Sequence, residues 1–190
     1  MKVKRDKVDF ICDEHPKQTD EAALAGLRPV FQKDGSVTAG NASGINDGAA
    51  ALVLAQASAA QMAGLRPRAR VLGYAHAGVR PAVMGIGPIP AVQNLLQKTG
   101  LTVEDFDVIE SNEAFAAQAL AVNKALGLDA ARVNPNGGAI ALGHPVGATG
   151  AILVIKALHE LERTQSDRAL ITMCIGGGQG IALAIERIEA

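Results

Sequence analysis

Apolar residues along the chain fall into two kinds of run, and their alternation predicts the layout. Residues 49–55 form a short, continuous apolar run with the length of a buried strand, and 69–77, 107–110, 169–175 and 180–188 read as further short strands. Between them lie stretches with helical start and stop signals. Ser58 opens a short helix that Gly64 ends, and Pro88 or Pro90 occupies the first turn of another that runs to Lys98 and stops at Gly100. Asn112 reads as the N-cap of a helix on which Phe115, Ala119, Val122 and Leu126 share one face, with Gly127 at its end. A very apolar helix spans 151–163. Strands that alternate with helices predict an α/β layered fold.

Residues 1–34 have a different texture. They carry many charges, a Glu14-His15-Pro16 turn and one short amphipathic segment between Asp20, its cap, and Gly26, its stop. Such a segment is too polar to build a core and is expected to lean on something else, so the chain divides into 1–34 and 35–190. Within the second part, Asn46-Asp47-Gly48 marks a turn and residues 85–90 a rigid loop rich in Gly and Pro. Residues 133–155 are free of Asp, Glu, Lys and Arg and long enough to span a bilayer. They contain Pro135, Pro145, Asn134, Asn136, His144 and several glycines, so buried protein interior is the better assignment.

Composition narrows the function classes. At 190 residues the chain suits one domain or one large lobe, and 48% hydrophobic against 19% charged residues excludes a disordered chain. Eighteen basic and nineteen acidic residues leave a net charge of −1, with nothing to attract nucleic acid or anionic lipid. The few aromatics (Tyr74, Phe10, Phe31, Phe106, Phe115) offer no base-stacking surface. Cys12 and Cys174 form no CxxC and no Cys/His cluster, so no metal site is expected. Unpaired cysteines and an opening stretch without a secretory apolar run fit a reduced, cytoplasmic setting.

Three constellations could carry chemistry. Cys174 ends an apolar strand immediately before Gly176-Gly177-Gly178, a turn that brings backbone N–H groups within reach of a ligand. A thiol there can do acid–base or nucleophilic work beside an oxyanion site, or it can be a small hydrophobe before a tight hairpin. His144 lies between Gly143 and Pro145 just ahead of an apolar helix, whose N-terminus disfavours a protonated ring. It reads as a neutral base or donor, or as a loop histidine bonded to backbone. Asn112 in Asn112-Glu113-Ala114-Phe115 caps a helix, or its amide orients a water or ligand at the helix entrance. His15 and His159 sit among charges and read as solvent-facing, His76 as a strand histidine, and Cys12 as incidental.

In this order, Asn41-Ala42-Ser43-Gly44, Asn112-Glu113-Ala114-Phe115, Gly143-His144-Pro145 and Cys174-Ile175-Gly176 closely resemble motifs of the C-terminal half of the thiolases. The resemblance covers 35–190, and more loosely 13–31, so that 1–34 looks like the tail of the family's loop-domain insertion. It implies a thiolase-like layered α/β fold, one C-terminal half-domain with a mixed sheet and flanking helices. It also implies an acyltransferase: reversible Claisen condensation of two acetyl-CoA to acetoacetyl-CoA and coenzyme A. By the same resemblance, Cys174 is the acid/base at the α-carbon. His144, with a water held by Asn112, forms one oxyanion hole and activates the nucleophile, while the Gly176 N–H gives half of a second hole. Ser43, Ala114 and Phe115 contact the pantetheine arm of coenzyme A. No cofactor or metal is implied, since the thioester substrate carries the activation.

The resemblance also implies a departure. Thiolases are about twice this length, and their nucleophilic cysteine lies in an N-terminal half that these residues do not match. Cys12 lacks that cysteine's glycine-flanked setting. The chain is therefore expected to contribute the acid/base and oxyanion-hole half of a site. It is expected to associate with a complementary N-terminal half or with itself, as an oligomer without nucleic-acid or membrane partners. The alternative is an inactive truncated remnant that acts at most as an acyl-CoA-binding or scaffold protein. A ketoacyl synthase would carry a second histidine where Cys174 stands.

Overall fold

The protein is described by a computed structural model, in which residues 2–3, 6–7, 9 and 11–188 are defined. Phe10, one of the five aromatics, lies outside them. In chain order the elements are β1 (Lys2–Val3), β2 (Asp6–Lys7), α1 (Glu21–Ala25), α2 (Ala57–Met62), β3 (Ala69–Gly78) and α3 (Pro88–Thr99). Then follow β4 (Val108–Ser111), α4 (Ala116–Leu126), α5 (Ala139–Leu142), α6 (Thr149–Thr164), β5 (Arg168–Ile175) and β6 (Gln179–Arg187).

Four strands make one mixed sheet in the order β3-β6-β5-β4. The β4–β5 pair is parallel, and β6 runs antiparallel to both β5 and β3. Both faces of the central strand β5 are covered, which is why it reads as a nearly continuous apolar run. On one face Leu170, Ile109, Ala182 and Ala184 pack with Ala91, Val92 and Leu95 of α3 and with Phe106. On the other, Val108, Ala169, Ile171 and Ile185 pack with Leu153, Ala157 and Leu161 of α6. The side-chain alternation of β5 thus feeds both layers at once. The result is a three-layer α/β/α sandwich, with α3 and α6 on opposite sides of the sheet.

Small residues set how closely the layers approach. A Cβ on Gly180 would lie 2.1 Å from the Gly87 backbone, so the N-terminus of α3 rests directly on the first residues of β6. Residues 85–90, expected as a loop, are therefore wound: a 3₁₀ turn (Pro81–Ile86) leads into α3 with Pro88 at its start. Gly100 closes α3 in the left-handed conformation.

Three further expectations are corrected. Residues 49–55 form no strand, and Val53 (92% exposed) and Leu54 (80%) face outward. A strand needs a ladder partner for its backbone, and among the described residues none runs beside this one. Asn112 does not cap α4, because its backbone N–H extends the sheet by donating to Thr172 O at 3.0 Å. Phe115, in extended conformation, takes the cap position instead. His15 is half-buried rather than solvent-facing, held by partners far away in sequence.

Candidate active site

The parallel pairing of β4 with β5, from Val108 opposite Ala169 to Ser111 opposite Thr172, brings their C-terminal ends to one edge of the sheet. Open α/β sheets gather ligands at such an edge. Asn112 leaves β4 there and is fully buried, and Cys174 lies near the end of β5, also buried. Burial pushes the Cys174 thiol up from its ordinary value, so the group carries its proton at neutral pH. Beyond it, Gly176 and Gly177 are exposed, and a Cβ on Gly176 would meet nothing within 4 Å.

His144 reaches the same edge from the loop after α5. Its ring Nδ1 is 2.7 Å from Thr149 Oγ1, in the first turn of α6, and that hydroxyl donates its only proton to Pro145 O at 3.0 Å. Nδ1 must therefore carry the ring proton and donate it to Thr149, which leaves Nε2 as an acceptor. Nε2 faces Asn112 Nδ2 at 3.4 Å. Burial lowers the His144 pKa, which keeps the ring neutral. The positive end of α6 acts in the same sense.

Asn112 Oδ1 is buried and meets no protein partner among the described residues. The amide lines a cavity of about 240 Å³, together with Thr149, Lys156, Asn46, Gly143 and Ile152. Among the described residues no hydrogen bond joins Cys174 to His144 or Asn112. The strand register relates them, through the bond from Asn112 N–H to Thr172 O.

Ser43, Ala114 and Phe115 come together as one strip. Ser43 N–H donates to Ala114 O at 3.0 Å, Ala42 bridges Phe115, and Ala116 N–H donates to Asn41 O at 2.9 Å. Phe31 stands edge-on to Phe115, ring centres 6.2 Å apart, and gives the polar N-terminal segment a place to rest. The same strip continues to His144, since Ile45 bridges it and Asn46 Oδ1 accepts its backbone N–H at 2.9 Å.

Several residues that hold the site were not singled out from sequence. Asn46 also reaches His15 Nδ1 at 3.2 Å, while His15 Nε2 is 3.0 Å from Ile140 O. Glu113 accepts Ile140 N–H at 3.2 Å and presses on Gly138, where a Cβ would lie 2.1 Å from its carboxyl. Asn134 exchanges two bonds with the backbone of Ser111. A polar residue three positions before Gly137-Gly138 was the only local signal available for Asn134, and its place beside Asn112 the only one for Glu113. The remaining partners are distant in sequence. Among the described residues no cluster could hold a metal ion, and no helix is long and apolar enough to cross a membrane.

A three-layer α/β/α sheet with a buried thiol before a glycine turn and a neutral histidine at its carboxyl edge defines a narrow class. The family model for "Thiolase, C-terminal domain" matches residues 65–187, and that for "Thiolase, N-terminal domain" matches residues 1–58. The chain belongs to the thiolase family. The likeness therefore reaches past the C-terminal half to which the motifs had confined it. A beta-ketothiolase of Cupriavidus necator is 59% identical over 98% of this chain and 48% of that protein. An acetyl-CoA acetyltransferase of Escherichia coli is 59% identical over 95% of this chain and 46% of its own length. The fold matches the crystal structure of Bacillus anthracis acetyl-CoA acetyltransferase with a TM-score of 0.92 and 51% identity, over 99% of this chain and 48% of that one. Human mitochondrial 3-ketoacyl-CoA thiolase in complex with CoA matches at 0.86 and 45% identity, over 93% of this chain and 45% of that one. The chain spans about half the length of these relatives.

Proposed function

We propose that these residues supply the acid/base and oxyanion-hole half of a thiolase site for the reversible condensation of two acetyl-CoA to acetoacetyl-CoA and coenzyme A. The observation that carries this reading is the neutral His144 ring, its Nε2 turned to Asn112 at the sheet edge where β5 delivers Cys174. An Nε2 lone pair can take the proton of an attacking thiol, and the imidazolium so formed then donates to a thioester oxygen as negative charge develops there. Asn112 would hold a water that shares this oxygen. Cys174, a thiol at rest, would protonate the coenzyme A thiolate that departs when the external nucleophile is acylated. As the resulting thiolate it would take the α-proton of the second acetyl-CoA, so that the enolate carbon bonds to the acyl carbonyl and the nucleophile's thiolate is expelled. The Gly176 N–H would steady the enolate oxygen, and Ser43, Ala114 and Phe115 would seat the pantetheine arm.

On this reading the nucleophile comes from outside these residues, because Cys12 is exposed and has no glycine turn beside it. A partner must then cover the exposed apolar residues, Ile45 and Val146 beside His144 and the run that holds Val53 and Leu54. A complementary thiolase half is the partner of choice, with a second copy of this chain as the alternative. Coenzyme A-dependent cleavage of acetoacetyl-CoA tests the proposal, with the chain alone and mixed with a thiolase N-terminal half. Activity in the mixture only, lost in Cys174→Ala and in His144→Ala, is the expected result. Coenzyme A binding without turnover in either case would favour the remnant that binds acyl-CoA or serves as a scaffold.

A further inference from the structure

Lys156 is four residues beyond Ile152 on α6 and reaches the floor of the cavity that Asn112 lines. Its ammonium donates to Glu110 Oε2 at 2.7 Å and to the Gly137 carbonyl at 2.6 Å. Glu110 is fully buried in β4, two residues before Asn112, and its other carboxylate oxygen has no partner among the described residues. Gly137 belongs to the loop and short α5 that end at His144. One cation thus ties the strand that carries Asn112 to the loop that carries His144.

A buried pair of this kind is poor value as a source of stability. Desolvating both charges costs about as much as their attraction returns, and well-packed apolar replacements are often as stable. Its bonds do have a specific geometric effect. The other ties of the loop to β4 and the residues after it lie at its start, where Ile109 pairs with the backbone of 132–134 and Asn134 bonds Ser111, and at Ile140, whose N–H donates to Glu113. The Gly137 tie runs to β4 through α6, which Asn136 also meets at Glu160 Oε2 (2.7 Å), and the first turn of this helix fixes the His144 ring through Thr149.

We propose that Lys156, seated by Glu110, is a positioning residue that holds the His144 loop against β4 and so keeps Nε2 within reach of Asn112. The proposal deepens the reading of His144 and Asn112 as a working pair and rests on it. Three variants of the full 190-residue chain test it: Lys156→Met, Lys156→Met/Glu110→Met and Glu110→Gln. The first readout needs no turnover: the nuclear Overhauser contact between the Asn112 side-chain amide and the His144 ring. The double variant, which leaves no buried charge unpaired, is expected to fold and to lose this contact. Glu110→Gln keeps an acceptor for Lys156 and is expected to retain it.

The second readout is kinetic, with a complementary half added. The double variant is expected to lose about 100-fold in kcat with KM nearly unchanged, the scale of a 1 Å misplacement. A contact that survives in the folded double variant overturns the proposal. Failure of that variant to fold overturns it too, since Lys156 would then serve the core and not the loop. Absence of activity in the unaltered chain with any partner half would refute the catalytic reading alone, and the Overhauser contact would still decide the role of Lys156.

Discussion

His144 is held by one proton. Thr149 spends its hydroxyl on Pro145 O, so the ring has no choice of tautomer, and burial keeps it from charging. The unfolded chain binds a proton at this residue near the ordinary imidazole value of about 6.5, and the folded chain only at lower pH. Stability from this source is therefore complete above about pH 6.5 and declines as pH falls below it towards the folded value. Urea titrations between pH 7.5 and 5 are expected to show this decline in the parent chain and a smaller one in His144→Ala. Cys174 and His144 stood out in the sequence as candidates because a glycine turn begins two residues after the first, and Gly143 and Pro145 flank the second. Asn112 was legible by type but misplaced: its side chain suits a helix cap, and only the pairing with Thr172 commits its backbone to the sheet. His15 was not legible at all, since the carbonyl it meets belongs to Ile140.

At the scale of elements, the sheet and its two packing helices follow from strand runs and helix stops that sequence displays directly. What sequence could not display is partnership. The run at 49–55 is as apolar as β5, yet β5 has neighbours on both sides and the run has none among the described residues. The contact of α3 with β6 gives a sharp contrast between glycines. Gly180→Ala would drive a methyl into the Gly87 backbone and is expected to cost about 3 kcal/mol, the upper range for overpacking. Gly176→Ala meets open space and is expected to stay within about 0.5 kcal/mol of the parent. Chemical denaturation of the two variants checks the difference. If Gly176 serves a ligand, its alanine variant loses turnover in the complemented assay with its stability intact.

The molecule as a whole shows large apolar side chains on a contiguous stretch of chain, Leu52, Val53 and Leu54, with Ile45 and Val146 beside the site loop. Single exposed apolar residues are ordinary, whereas a run of them marks an unfilled contact. The isolated chain is therefore expected to bind a hydrophobic dye and to sediment above the monomer mass, and a complementary half is expected to abolish both. A dye-silent monomer would show that the surface needs no cover.

The strand order carries a consequence for synthesis. β3 has one sheet neighbour, β6, and pairs Gly78 with Gln179 and Ala69 with Arg187. The first strand of the sheet thus finds its partner only when the chain is about a hundred residues longer. At about 5–20 residues per second on the ribosome, that wait is on the order of ten seconds. Throughout it, Val71, Leu72 and Tyr74 remain an open edge beside a nascent chain, so a chaperone that shields β3 early is expected to raise the yield more than one that acts after release.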